Sequence, residues 1–290
     1  MLARISSNRG RAGSDGSYRP FAKAMLAVVA AGLLLGLGVG PAAHAARSEQ
    51  RVAVLAYHRF ADTPNDSMTV RVTTFEAQLA FLRAHGYHFV ALRDVVDWLE
   101  NRRATLPDKP VALTVDDGHR SVQDVLRPIA LREHLPVTLF IYPSAISNAS
   151  YALTWEELAR LRDTGMFDVQ SHTYWHPNFN VERRQRTPDD FRRFAEKQLQ
   201  GSRASIEQKL GGSVDLLAWP FGIVDEELEG LAAQAGYRAA FALGARLADK
   251  QSHRYAVTRF LITDGVTPAV LGRLLGEPAA ERRPEPEKQP

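Results

Sequence analysis

Two carboxylates stand side by side at Asp116 and Asp117, where the apolar run Val111-Ala112-Leu113-Thr114-Val115 ends and just before Gly118. Adjacent anions repel each other, so a fold keeps such a pair where a cation neutralises it or where one carboxylate must accept a proton. Asp-Asp-Gly by itself also suits a turn leading into a helix cap. A second group favours chemistry: Ser171-His172-Thr173-Tyr174-Trp175-His176-Pro177 carries two imidazoles four residues apart. One carboxylate with two imidazoles makes the three-ligand set of a catalytic zinc-type site, which leaves a position open for water or substrate. The chain contains no cysteine, so thiolate sites and disulfides are excluded and His, Asp and Glu remain as its strong metal ligands.

A divalent cation at this site, Zn expected ahead of Co, Ni or Mn, gives the second carboxylate a task. It can take the proton of a water that attacks a polarised carbonyl. If the bond to be broken is an amide, the leaving amine needs an acid. His58 is the candidate, because it closes another apolar run, Val52-Ala53-Val54-Leu55-Ala56-Tyr57.

The elements that must position these residues follow from periodicity. Short apolar, partly β-branched runs predict strands at 52–58, 88–91, 111–115, 137–142, 167–171, 215–219, 237–243 and 255–261. Between them, helical spacing predicts helices at 75–85, 94–99, 121–134, 154–164, 188–210, 225–235 and 267–275; Thr154 and Glu157 form a capping box, and Gly86 and Gly236 are stops. This alternation argues for a largely parallel α/β fold. His58, Asp116-Asp117, His172 and Pro220-Phe221-Gly222 all follow predicted strands. A (β/α) barrel of about seven strands opens all its strand C-termini on one face, whereas an open sheet gathers only some at a switch point. The barrel is therefore the expected architecture.

The net charge of +3 is concentrated at the start of the chain. Arg4, Arg9, Arg11, Arg19 and Lys23 precede an uncharged run over 24–43, and Ala43-His44-Ala45 ends it. A basic start, an apolar middle and a small-x-small site predict an export signal over 1–45, cleaved after Ala45. An uncleaved anchor is the alternative, because 24–40 holds 17 residues, at the short end for a bilayer span. Without 1–45 the chain carries 31 basic and 32 acidic residues, a net charge of −1, so no nucleic-acid partner is expected. The expected organisation is a leader over 1–45, one catalytic domain over 46–276 and a disordered tail over 277–290, where Pro278, Pro284, Pro286 and Pro290 alternate with charges.

These residues also carry a family resemblance, over roughly 51–275. Thr114-Val115-Asp116-Asp117-Gly118 resembles the first motif of polysaccharide deacetylases with a NodB-type domain (carbohydrate esterase family 4), usually T-F-D-D-G. Ser171-His172-Thr173-x-x-His176-Pro177 resembles the second, and Trp219-Pro220-Phe221-Gly222 the third, usually R-x-P-Y/F. The resemblance implies a distorted (β/α) barrel that hydrolyses N-acetyl groups from an N-acetylglucosamine-containing glycan. It assigns Asp116 as general base, Asp117, His172 and His176 as metal ligands, and the Phe221 N–H, beside Pro220, as part of an oxyanion site. Trp155 and Trp175 are candidate walls for a sugar ring, Tyr174 lies close by, and Trp219 is expected in the core.

Two departures stand out. Ala218 occupies the place of the third-motif arginine, and Arg259 is a hypothetical substitute, with an ordinary surface position as its expected state. A late Leu-x-His motif is also missing, since His253 sits in a polar loop; Leu55-Ala56-Tyr57-His58 stands before the first motif instead. That order, with Leu153-Thr154-Trp155-Glu156 ahead of the histidine pair, is similar to the permuted branch that deacetylates poly-β-1,6-N-acetylglucosamine in biofilm matrix. The implied partners are the polysaccharide, the exopolysaccharide export machinery, and a membrane only through an uncleaved anchor. The expected location is the periplasm, the cell surface or the medium. A glycan-binding protein with weakened catalysis and an O-acetyl esterase are the alternative functions; a metallopeptidase is disfavoured because no H-E-x-x-H is present.

Overall fold

The computed structural model describes residues 50–278, all within the compact unit Ala46–Pro290. The expected leader over 1–45 and most of the expected tail, 279–290, lie outside the described residues. In chain order the elements are β1 (Ala53–Tyr57), β2 (Arg59–Ala61), β3 (Thr69–Arg71), α1 (Val72–Ala84), β4 (His88–Phe89), α2 (Leu92–Leu99) and β5 (Pro110–Asp116). Then come α3 (Arg127–Glu133), β6 (Val137–Ile141), α4 (Trp155–Asp163), β7 (Phe167–Ser171), α5 (Phe179–Arg184) and α6 (Pro188–Leu210). The chain ends in β8 (Leu216–Ala218), α7 (Glu226–Gln234), β9 (Ala239–Leu243), β10 (Val257–Leu261) and α8 (Pro268–Leu275).

Seven parallel strands close into a barrel in the order β1, β10, β9, β8, β7, β6, β5 and back to β1. Closure comes from β1, whose five residues pair with Val111 to Val115 of β5 on one edge while Leu55 and Ala56 pair with β10 on the other. β4 adds a short edge at the foot of β5, and β2 and β3 form a separate parallel pair. The expected barrel is therefore observed, and each helix expected from the sequence lies within a few residues of its observed bounds, the 121–134 segment apart. Thr154 and Glu157 make the reciprocal capping box of α4. Three pieces escaped the sequence reading: the β2–β3 pair, α5, and a π-helical turn over Val122–Leu126 that starts what was expected to be one helix over 121–134.

Successive residues of a strand face opposite ways, and this sorts the core into two parts. Leu55, Leu113, Val115, Leu139 and Val169 point outward and pack in one large cluster with apolar side chains of the helices, among them Leu79, Leu158 and Leu199. Val54, Ala112, Phe140, Leu216, Phe241 and Val257 belong to a smaller cluster with Val95, Val96 and Trp98 of α2. Phe140 of β6 meets Phe241 of β9, three strands away, with ring centroids 5.8 Å apart, so side chains fill the barrel as they do in larger (β/α) barrels. The same parity puts Thr114, Asp116 and Arg259 in the inward-facing set, two and four residues from Ala112 and two from Val257.

Candidate active site

Parallel strands place the candidate base, acid and metal ligands at one mouth, with the turn that carries Phe221. His58 follows β1, Asp116 ends β5 and Asp117 follows it, His172 follows β7, and Pro220-Phe221-Gly222 forms a 3-10 turn just after β8. The backbone there is bent hard. Asp117 (φ 74°), Thr173 (φ 67°), His176 (φ 62°) and Phe221 (φ 57°) all occupy the left-handed region, which costs non-glycine residues energy and gathers at functional sites.

Asp117, His172 and His176 converge, with one ligand-type atom of each lying within 4.8 Å of the others. The Asp117 Oδ1 atom is 3.8 Å from His172 Nε2 and 3.7 Å from His176 Nε2. It is buried and accepts no hydrogen bond, a costly state that a cation would relieve. His172 Nδ1 lies 2.8 Å from the Ala218 carbonyl, to which it donates, so Nε2 is left as the lone-pair face turned to Asp117. Burial, then the neighbouring His172, pushes the His176 imidazole down to about 4, so it is neutral and able to act as a ligand at neutral pH. The three residues fit a divalent metal; their donor chemistry, two imidazoles and a carboxylate, is of the zinc type.

Asp116 is kept apart from that set. Arg259 of β10 grips it with two parallel hydrogen bonds, Nη1 to Oδ1 and Nη2 to Oδ2, both 2.7 Å. Arg259 Nη1 also donates to Thr114 Oγ1 at 3.0 Å, and Thr114 in turn donates to the Leu55 carbonyl at 2.9 Å. The expectation of a surface arginine is thus corrected: Arg259 is 0 % exposed, because its strand position faces into the barrel. It supplies from β10 the guanidinium that Ala218 lacks. Burial alone would raise the Asp116 carboxyl, but Arg259, then His172, hold it well below the usual carboxylate range. His172 Nε2 is 3.8 Å from Asp116 Oδ2, so the base candidate borders the metal triad directly.

His58 faces the same charges. Burial lowers its imidazole below the ordinary histidine value, while Asp116 and then Asp117 pull the other way. Its Nδ1 is buried without a partner. In the 3-10 turn, hydrogen bonds use the N–H groups of Gly222 and Ile223, which leaves that of Phe221 uncommitted to the turn. The Phe221 ring is exposed and stands edge-on to His176, centroids 4.7 Å apart, while Pro220 is buried.

The aromatic expectations divide. Trp175 is 42 % exposed, directly before His176, and its ring leans on Phe194, 5.9 Å away. Trp219 is fully buried and donates to the Tyr255 carbonyl, as expected of a core residue. Trp155, the first residue of α4, is partly buried and packs against the hydrophobic core. Arg59, Tyr142 and Tyr151 were not singled out from the sequence. Arg59 Nη2 comes to 4.0 Å from Asp117 Oδ2, and the Tyr142 ring lies 5.3 Å from that of His176. A cavity of about 750 Å³ lies elsewhere, among Arg51, Ala53, Lys109 and Pro110 at the opposite, N-terminal ends of β1 and β5.

A sequence model described as polysaccharide deacetylase matches residues 103–240, which include Asp116, Asp117, His172, His176 and Pro220 to Gly222. Over these residues the chain matches the polysaccharide deacetylase family. Proteins similar to it share its sequence thinly and its architecture well. The poly-β-1,6-N-acetyl-D-glucosamine N-deacetylase of Staphylococcus epidermidis is 21 % identical over 194 residues; the match spans 66 % of this chain and 66 % of that relative's own length, just under two thirds. The Streptococcus pyogenes deacetylase PplD, solved in complex with acetate, is 21 % identical with a TM-score of 0.69, over 80 % of this chain and 100 % of the other. A de-N-acetylase from Aggregatibacter actinomycetemcomitans is 21 % identical with a TM-score of 0.68, over 78 % and 100 %. At such identities these structures speak for the fold. His58 and Arg259 lie outside the matched residues, so any role for them rests on the geometry.

Proposed function

We propose that this deacetylase is a divalent-metal-dependent hydrolase that removes N-acetyl groups from an N-acetylglucosamine-containing polysaccharide of the envelope or extracellular matrix, with poly-β-1,6-N-acetylglucosamine the first candidate. One observation carries the reading. Two carboxylates adjacent in sequence are sorted into different tasks, Asp117 left bare between two imidazole nitrogens and Asp116 clamped by a buried guanidinium. The substrate class is supported by the activity for which the staphylococcal relative is named.

Asp117, His172 and His176 would hold the metal. When bound, the cation supplies Lewis acidity toward the amide carbonyl and toward the attacking water. Asp116 accepts that water's proton; Arg259 keeps it ionised and aimed, at some cost in basicity. The Phe221 N–H is offered to the oxygen that gains charge as the carbonyl becomes tetrahedral. His58 returns a proton to the leaving amine, and the two carboxylates it faces help it hold that proton. The metal is zinc in this reading, and the leader over 1–45 sends the protein to the periplasm, the cell surface or the medium. The glycan-binding alternative rested on the missing motif arginine, and Arg259 removes that ground.

The test is acetate release by the purified protein from chitin, β-1,6-linked and peptidoglycan-derived oligomers. Release that stops on chelation and returns with zinc is expected. Asp116→Asn should lose turnover by a factor of at least about 10² yet still bind metal, whereas Asp117→Ala or His172→Ala should lose the metal. Undiminished turnover in Asp116→Asn would refute the base assignment, and release indifferent to chelators would refute the metal.

A further inference from the structure

The long helix α6 buries an apolar row, Phe191, Ala195, Leu199, Ile206 and Leu210, and the row is interrupted by two polar side chains. Gln198 and Ser202 are only 4 % and 0 % exposed. A buried polar group costs free energy unless it is paired, so the interruption calls for partners. Both partners lie in the segment that carries His172 and His176. Gln198 Oε1 accepts from the Trp175 N–H at 3.1 Å, and the Ser202 hydroxyl accepts from that of Ser171 at 2.8 Å. Phe194 meets the Trp175 ring as well, with centroids 5.9 Å apart. Residues 194, 198 and 202 are spaced by four, so one face of α6 touches the histidine segment at three successive turns.

That segment needs a grip. Thr173 and His176 both hold left-handed backbones, at φ 67° and 62°, a state that persists in non-glycine residues only where the surroundings over-determine it. The bonds that do so can be followed along the chain. The His172 N–H donates to the Ile141 carbonyl at 2.8 Å, and the Thr173 N–H to Ser171 Oγ at 3.2 Å. The Trp175 N–H donates to Gln198, and the His176 N–H to Thr173 Oγ1 at 3.2 Å. Two of these bonds depend on α6. Gln198 makes one directly. Ser202 supports the other, because it takes the Ser171 proton and so leaves the lone pairs of that hydroxyl for the Thr173 N–H.

Resting on the metal reading given above, we propose that this face of α6 sets the spacing of the two imidazoles, with Gln198 a positioning residue for metal capture. It acts through the backbone of Trp175, the residue directly before His176. Without the Gln198 oxygen the Trp175 N–H loses its acceptor, and the left-handed turn at His176 is free to relax. Relaxation carries His176 Nε2 away from Asp117 Oδ1, and a metal site tolerates little displacement of a ligand. A side chain that served only the packing of α6 would change stability and leave metal affinity alone.

The test measures the zinc affinity of the full-length protein by competition with a chromogenic chelator, alongside kcat and KM for acetate release. Gln198→Met fills much the same space without the acceptor, and should weaken zinc binding by about tenfold or more. Turnover lost at low zinc should return at saturating zinc, with KM for the glycan moving by less than about twofold. Gln198→Glu, which keeps an acceptor oxygen at the same reach, should restore most of the affinity. Ser202→Ala should weaken zinc binding in the same direction, and serves in its place if Gln198→Met does not fold. Leu210→Ala, at the far end of the same row, should lower the thermal midpoint and leave zinc affinity unchanged. Wild-type affinity in Gln198→Met, or in Ser202→Ala where that variant stands in, would overturn the positioning role, as would an equal loss in Leu210→Ala. A wild-type protein that binds no zinc would instead overturn the metal reading on which the role depends.

Discussion

Arg259 is the residue on which the site turns, and it shows what a position in a strand can do that a motif cannot announce. Inside a closed barrel a lone carboxylate is expensive, and a lone guanidinium is as well. Together, at 2.7 Å and in bidentate geometry, each makes the other tolerable. Arg259→Met should therefore cost about 3–5 kcal/mol in denaturant unfolding at neutral pH, because it strands a buried anion. The pH dependence follows from the carboxylate. In the native protein the Asp116 carboxyl lies below its unfolded value, so its stabilisation is present above about pH 4 and is lost as pH falls toward the native value. In Arg259→Met, burial loses its largest opponent, with His172 and His58 left against it, and the carboxyl rises relative to the native protein, so protonation on acidification relieves the variant. The stability gap should be widest near pH 7 and narrow below about pH 4. A gap independent of pH would mean that the pair is not what Arg259 contributes.

At the scale of elements, the turn after β8 ties site geometry to backbone sterics. Gly222 sits at φ +69°, and a Cβ there would meet the Leu243 backbone nitrogen at 2.8 Å, a contact that nothing flexible can relieve. Gly222→Ala should destabilise the fold by about 1–3 kcal/mol, and should weaken turnover further by displacing the Phe221 N–H. Gly230→Ala is the counterpart: it lies inside α7 with open space around its Cβ, and should gain about 0.5–1 kcal/mol. Thermal unfolding of both variants checks the contrast, and equal shifts would contradict it. The elements themselves were largely legible, because buried parallel strands and amphipathic helices write their periods openly. What was hidden has a physical reason in each case. β2 and β3 are three residues each, too short to show a period, and α5 is six residues set between the histidine segment and the long α6. The π-helical turn inserts a backbone shift that leaves residue types unchanged.

At the scale of the molecule, the candidate site is a product of closure. Motifs over 114–118, 171–177 and 219–222 can be read from residue types, but the partner of Asp116 comes from 143 residues further along, and only the pairing of β1 with both β5 and β10 brings Arg259 to it. The one trace in the sequence was a charged residue in the middle of an apolar late strand, Val257-Thr258-Arg259-Phe260-Leu261, facing the same way as Val257. The same closure makes the metal site a cross-brace: Asp117 follows β5, while His172 and His176 follow β7 two strands away. A cation that binds only where these segments are assembled stabilises the whole fold by mass action, about 2.7 kcal/mol at one hundred times its dissociation constant. In a domain of this size each kcal/mol moves the midpoint by about 2–4 °C, so saturating zinc should raise it by about 5–10 °C over chelated protein. His172→Ala should abolish that rise, whereas Asp116→Asn, which leaves the triad intact, should keep it. A midpoint unmoved by zinc in the wild type, or raised equally in His172→Ala, would separate the metal from these three residues and with it the division of labour between the paired aspartates.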